Sequence, residues 1–317
     1  MKKIFYLATI LVALNSCSRS SDDNSDGNET SKPKKLSQII QDGKLQTSYL
    51  WQNNQLKKVE NYTDGAVSNV HKISYENNLM KLDSLFDNKN TYLGRNIYNY
   101  TIANNLSTEV QYKIGFIAER RKYYLQKLNE GYINQQDYLI LTKSLSQLYS
   151  PKMKKAVDAI PYTVGTTEYN NALYALEKSE EGQVSDRTYS YDANENISMI
   201  SNTYAGYIAS QQFYVYSNNR TNLEISTTNY LESSSGKYKA AYLFDGKKGI
   251  YSSVTPNKAD WFYNTIERKL LENNNNIVSS SFNYKVQYTY DKNDYPLTAV
   301  ETYENGKIIN KRFVWID

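Results

Sequence analysis

The chain has 317 residues, with one cysteine, one histidine and a formal charge of +4. Its 37 basic side chains, less Lys2 and Lys3 of a removable leader, leave 35 against 33 acidic ones, a balance that offers no basic stripe to nucleic acid. A single cysteine excludes an internal disulfide, and zinc sites built on His or Cys are excluded by count.

Lys2 and Lys3 precede an apolar run from Ile4 to Leu14. The run is too short for a bilayer helix of roughly 20 residues, but it matches the apolar segment of a secretory signal. It ends in Leu14-Asn15-Ser16-Cys17, which resembles the lipobox of bacterial lipoprotein signal peptides. The resemblance implies a leader over 1–16, cleavage after Ser16 and lipidation of Cys17; an ordinary signal with an incidental cysteine is the alternative. Residues 17–35 then comprise the lipidated cysteine and a polar tether with nothing apolar to bury. Within it, Ser21-Asp22-Asp23 resembles the export signal that sends Bacteroidota lipoproteins to the outer face of the outer membrane; a generic linker on a periplasm-facing protein is the alternative. The expected partner is the membrane, reached through the lipid.

The composition is marked by 32 Tyr against 8 Phe and 3 Trp, and by Asn runs such as Asn273 to Asn276. Tyrosine favours strands and keeps a wet hydroxyl, while Asn tolerates tight turns, so together they indicate antiparallel hairpins. One unit recurs, an aromatic-x-aromatic step, a turn rich in Asp or Asn, and then two aliphatics spaced three apart. Its copies are Tyr49-Leu50-Trp51 with Leu56 and Val59, Ile73-Ser74-Tyr75 with Leu79 and Leu82, and Tyr189-Ser190-Tyr191 with Ile197 and Ile200. Two more are Tyr242-Leu243-Phe244-Asp245 with Ile250 and Val254, here spaced four apart, and Tyr288-Thr289-Tyr290-Asp291 with Leu297 and Val300. Residues two apart share a strand face, so each aromatic pair forms one stripe. Asp64-Gly65 and Glu304-Asn305-Gly306 supply further turns.

These copies resemble the tyrosine-aspartate hairpin units of Bacteroidota lipoproteins in domain-of-unknown-function families, over about Lys44 to Asn104 and Gln183 to Asp317. The resemblance implies an open, porin-like antiparallel sheet and says nothing of activity. A fainter resemblance to Rhs-type shells is set against drifting spacing and missing glycines, which argue against an enclosing shell.

Between Ser107 and Pro161 the period lengthens toward 3.6. Thr108-Glu109-Val110-Gln111 matches a capping box, and Val110, Ile114, Ile117, Arg121, Tyr124 and Leu128 follow at helical spacing to a stop at Gly131. A second helix is predicted from Asn134 and a third, short one from Ser150-Pro151; Thr166 to Lys178 is ambiguous. The predicted fold is therefore mainly β, an antiparallel hairpin array forming an open sheet or half-barrel with an inserted helical hairpin. Its segments are 36–104 (first hairpins), 105–161 (helical) and 162–317 (main hairpins).

His71 lies in a predicted strand, and no Gly-x-Ser-x-Gly elbow accompanies it, so catalytic residues and cofactors are not expected. Asp192-Ala193-Asn194-Glu195-Asn196 begins like a calcium loop, but Ile197 stands where glycine is needed. A carboxylate pair for glycoside hydrolysis, about 5 to 9.5 Å apart, would draw on Asp260 and Glu301. Trp51, Tyr189, Tyr191, Trp261, Tyr288 and Tyr290 are candidate ligand-facing aromatics, suited to sugar rings and equally to cross-strand packing. The expectation is a non-enzymatic lipoprotein of the outer membrane, displayed at the cell surface, that binds a glycan or an outer-membrane protein or serves as a scaffold. The alternatives are a periplasm-facing docking lipoprotein and a carboxylate-based polysaccharide hydrolase.

Overall fold

The computed structural model describes residues 33–317, apart from 205–206, 218–221, 231–236, 252–274 and 282–283. The leader, Cys17, the acidic cluster, Asp260, Trp261 and Val254 lie outside the described residues. Seven strands come first, β1 (Lys35–Gln41), β2 (Lys44–Gln52), β3 (Gln55–Thr63), β4 (Ala66–Glu76), β5 (Leu79–Asp87), β6 (Tyr92–Tyr100) and β7 (Leu106–Ile114). Four helices follow, α1 (Phe116–Asn129), α2 (Gln135–Ser144), α3 (Pro151–Asp158) and α4 (Thr167–Ser179), with a 3₁₀ turn at Leu145–Leu148. The chain then returns to strands with β8 (Glu181–Tyr191), β9 (Ile197–Tyr204), β10 (Tyr207–Ser217), β11 (Asn222–Asn229) and β12 (Lys237–Phe244). It ends with β13 (Ile277–Ser280), β14 (Tyr284–Tyr290), β15 (Pro296–Tyr303) and β16 (Ile308–Ile316).

The sixteen strands among the described residues form one closed antiparallel barrel in sequence order. This corrects the open sheet or half-barrel expected above. Closure comes from β1 pairing with β16, from Lys35 opposite Ile316 to Gln41 opposite Lys311. Such pairing of the first and last strands leaves no trace in hairpin spacing. At the terminal end of the seam each strand is tied to its other neighbour, β1 by the Trp51 Nε1–H donating to the Leu36 carbonyl (2.8 Å) and β16 by the Trp315 Nε1–H donating to that of Pro296 (2.7 Å). Lys34 Nζ meets Asp291 at 2.7 Å.

Both ends of the barrel chain and the turns of the recurring unit lie at one rim, here the terminal rim. Asn53 and Asn54 (φ 51° and 60°), like Asn77 and Asn78 (50° and 63°), take the paired left-handed conformation of a two-residue hairpin turn. At Asp192 and Asp291 the carboxylate accepts backbone N–H groups instead, from Asn194 and Asn196 (2.9 and 2.8 Å) and from Asn293 and Tyr295 (2.8 and 3.0 Å).

Next to each of these turns the register slips by one residue, leaving Lys57, Lys81, Ser107, Ser198 and Leu297 as β-bulges. The bulge explains the three-residue spacing of the aliphatics, because it turns both members of a pair inward. Leu56 with Val59 and Ile197 with Ile200 are buried as expected. Elsewhere the expected pair is displaced by one. Met80 and Asp83 point inward in place of Leu79 and Leu82, and Pro296 and Ala299 in place of Leu297 and Val300. The unit after Tyr242 is corrected further. Its return strand is β13, and Ile250 is a loop residue folded into the core.

Each of the sixteen strands contributes to a single apolar interior cluster, from Leu36 and Ile39 on β1 to Phe313 on β16. Tyr98 and Ile200 are fully buried. The loop after β12 adds Ile250 and Tyr251; Tyr251 sits near Tyr49, whose hydroxyl pKa is raised well above its ordinary value, chiefly by burial. The outer wall is mostly polar, with exposed Lys44, Gln46, Lys72, Ser74, Glu76, Lys239, Lys285, Gln287 and Thr289, and scattered apolar side chains such as Leu50 and Val215. Among the described residues no helix is long and apolar enough to cross a membrane.

The helical segment occupies 115–180, between β7 and β8, rather than the expected 105–161. Thr108 to Gln111 belongs to β7, so the capping-box match there is overridden by ladders to β6 and β8 on both sides. Asn134 caps α2 through the Asp137 N–H (2.9 Å), Ser150 caps α3 through that of Met153 (3.1 Å), and the ambiguous 166–178 stretch is helix α4 capped by Thr166. Phe116, Ile117, Tyr124, Leu145, Leu148 and Met153 form a second core that docks on Val184 and Tyr204, at the rim opposite the chain ends. Arg121 binds the fully buried Glu177 through two contacts (2.7 and 2.5 Å), tying α1 to α4.

The two faces of the barrel wall differ measurably. Ile200→Ala should cost about 2–5 kcal/mol, whereas Val215→Ala on the outer wall, 62% exposed, should stay within about 0.5 kcal/mol. Urea unfolding of both variants checks this, and equal losses would contradict the assignment of inner and outer faces.

Candidate functional site in the barrel interior

Along many strands away from the terminal rim, inward positions change from aromatic and aliphatic to polar, while β12 and β14 stay apolar through Ala240 and Val286. On β3 they read Leu56, Val59, Asn61; on β4, Tyr75, Ile73, His71, Asn69; on β8, Tyr191, Tyr189, Arg187, Ser185. The bulge sets the phase and strict alternation carries it on, so polar side chains from neighbouring strands form a girdle.

Its hydrogen bonds run around the wall. Thr47 Oγ1–H donates to Asn61 Oδ1 (3.2 Å), and Asn61 Nδ2–H donates to Asn69 Oδ1 (2.8 Å). Ser185 donates to Gln111 (3.2 Å), Asn202 to Ser210 (3.1 Å), and the Tyr214 hydroxyl to Gln212 (3.1 Å). Carboxylates in the same layer are paired. His71 Nδ1 lies 3.0 and 2.9 Å from the two Asp83 oxygens, and Glu109 accepts from Arg187 (3.2 Å) and the Tyr189 hydroxyl (3.0 Å). Glu301 accepts from Lys311 (2.8 Å) and from Tyr303 (3.1 Å). Burial pushes the Glu109 pKa up, and nearby Asp83 adds to the rise; Arg187 and Tyr189 oppose it.

The expected aromatics divide as follows. Tyr189 belongs to the apolar cluster, and Trp51, Tyr191 and Tyr288 pack against it. Tyr191 donates to the Leu106 carbonyl (2.7 Å) and Tyr288 to that of Ile277 (3.3 Å); Tyr290, at the terminal rim, donates to Asp245. Cys17, Trp261 and Asp260 lie outside the described residues, and Glu301 is buried against Lys311. Among the described residues no group of three or more His, Cys, Asp or Glu is placed to hold a metal ion. The girdle itself escaped the sequence reading. Its signal was the third inward position counted outward from the turn, which carries an amide, a hydroxyl or a charge on β2, β3, β4, β7, β8 and β9 but an apolar side chain on β5 (Leu85), β12 (Ala240) and β14 (Val286).

No family model matches the chain, and no curated protein matches it. Among solved structures, a porin-like protein from Bacteroides uniformis aligns over 90% of this chain and 99% of its own, with a TM-score of 0.47 and 10% identity. A porin-like protein from Bacteroides vulgatus aligns over 90% and 99%, with a TM-score of 0.26 and 7% identity. The Photorhabdus luminescens Tc holotoxin pore aligns over 85% of this chain and 11% of its own, with a TM-score of 0.20 and 11% identity. At these scores the likenesses carry no argument about function.

Glu109 gives the girdle a pH signature. Its pKa is higher in the folded chain, so the folded state holds a proton that the unfolded state has released. Its contribution to stability is therefore lost as pH rises from the ordinary value of 4.5 through the folded pKa. Arg187→Met should steepen that loss and Glu109→Gln should flatten it. Thermal melts from pH 4 to 8 follow both variants, and an unchanged slope in Glu109→Gln would contradict the assignment.

Proposed function

We propose that the chain is a lipid-anchored, water-facing barrel that works by binding, at the outer membrane and displayed at the cell surface. The observation that carries this reading is the polarity of the two wall faces. A barrel that spans a bilayer turns an apolar band outward and keeps polar groups inside. Here Ile, Leu, Met and Tyr fill one half of the interior, while Lys, Gln, Ser and Thr face outward. A wall of that kind is stable in water and costly in lipid, so membrane attachment falls to the cysteine that resembles a lipobox residue. Binding is favoured over catalysis because His71, Glu109 and Glu301 are each engaged by a structural partner.

Fatty-acid labelling tests the anchor, with label incorporated into the wild type and lost in Cys17→Ala. The mature chain exported behind a cleavable non-lipoprotein leader should then appear in the aqueous fraction without detergent. If it stays in the membrane pellet, the wall crosses the bilayer and the reading fails. Protease shaving of intact cells decides the face, since digestion supports surface display and protection supports the periplasm-facing alternative.

A further inference from the structure

A ring of sixteen strands is wider than its side chains can fill; about eight strands give an interior that they just fill. Toward the terminal rim the excess volume is taken up by Tyr, Trp and Phe from the wall and by Ile250 from the loop after β12. One inward step further on, the side chains shorten to Asn61, Asn69, Gln111, Asn202 and Thr227. All five are half-buried, although Val59, Ile200 and Ile225 on the same face are buried; in their own layer Thr47, Asn96 and Gln212 are buried, so the exposure is confined to part of the ring.

These short side chains bond to the next strand around the wall and not across it. Partial exposure on an inward face, beside fully buried neighbours, marks water-accessible space inside the barrel. The wall of that space is made of amides and hydroxyls. The ionisable groups beneath it have partners, Asp83 bonding to His71, Glu109 pairing with Arg187 and Glu301 with Lys311. Among the described residues no surplus cation is left there to select an anion, while paired donors and acceptors suit adjacent hydroxyls.

We propose that the polar half of the interior is a vestibule that binds a neutral, hydroxyl-rich ligand of the oligosaccharide class. The inference deepens the binding reading above and does not depend on the lipid anchor.

Both the space and the ligand can be tested on the mature chain with Cys17 removed, which leaves introduced cysteines as the only thiols. Asn69→Cys should react with a small maleimide at least about tenfold faster than Ile200→Cys in the folded protein, and both should react equally in urea. Maltoheptaose, cellohexaose and mannan are the neutral probes and polygalacturonate the acidic one, with binding followed by calorimetry. At least one neutral probe should bind and should slow labelling of Asn69→Cys. Asn61→Leu with Asn202→Leu should weaken that binding about tenfold or more. If Asn69→Cys is as protected as Ile200→Cys, there is no vestibule. If it labels but no neutral probe binds, or polygalacturonate binds as well as the neutral probes, the ligand class is wrong. Failure of the anchor reading shows separately, as membrane retention of the leader-exchanged chain.

Discussion

Closure of sixteen strands imposes a volume to be filled, and much of the sequence answers to that constraint. An aliphatic lining around so wide a ring would leave cavities, each costing roughly 24 cal/mol per Å³. Tyrosine reaches further than leucine and can satisfy a hydroxyl where it meets a polar layer. Tyr189 does this on Glu109 and Tyr214 on Gln212. The interior tyrosines, among them Tyr98, Tyr189 and Tyr214, thus serve both as filling and as the boundary between the apolar and polar layers of the interior.

The bulge beside each terminal-rim turn is the local device that makes this filling work. In an unbulged strand Leu56 and Val59, three residues apart, would face opposite sides of the wall; with the bulge at Lys57 both enter the core. Recurring at the same level in five hairpins, the bulge places two inward side chains where the aromatic pair of the preceding strand also points, both apolar in three hairpins and the second a carboxylate (Asp83, Glu109) in two. It also adds local twist, which a sheet needs if it is to curl back on itself.

Hairpin chemistry was legible in the sequence because it is local. Asn53-Asn54, Asp192 and Asp291 each carry their turn within five residues. Closure was not legible, since Leu36 and Trp315 are joined only by the finished ring. The bulges were visible as a spacing of three yet misplaced by one residue at Met80 and Pro296, because Leu79 and Leu297 look equally apolar. The start of the helical segment was misread at Thr108, where a capping pattern lost to pairing with two neighbouring strands. Of the candidate site, the paired charges and amides could not be read, because Arg187 and Glu109 meet across a gap in the chain that the helices occupy.

The two rims also divide the work. The chain ends, the tight turns and the apolar filling share one rim, where Lys34 and Asp291 close the seam. The helices and the polar half of the interior share the other. With apolar side chains filling the interior toward the terminal rim, the vestibule proposed above would be a pocket and not a channel. This argues against reading a closed sixteen-stranded ring as a pore. Strand number sets how wide the ring is, but the side chains on its inner face decide whether anything passes through.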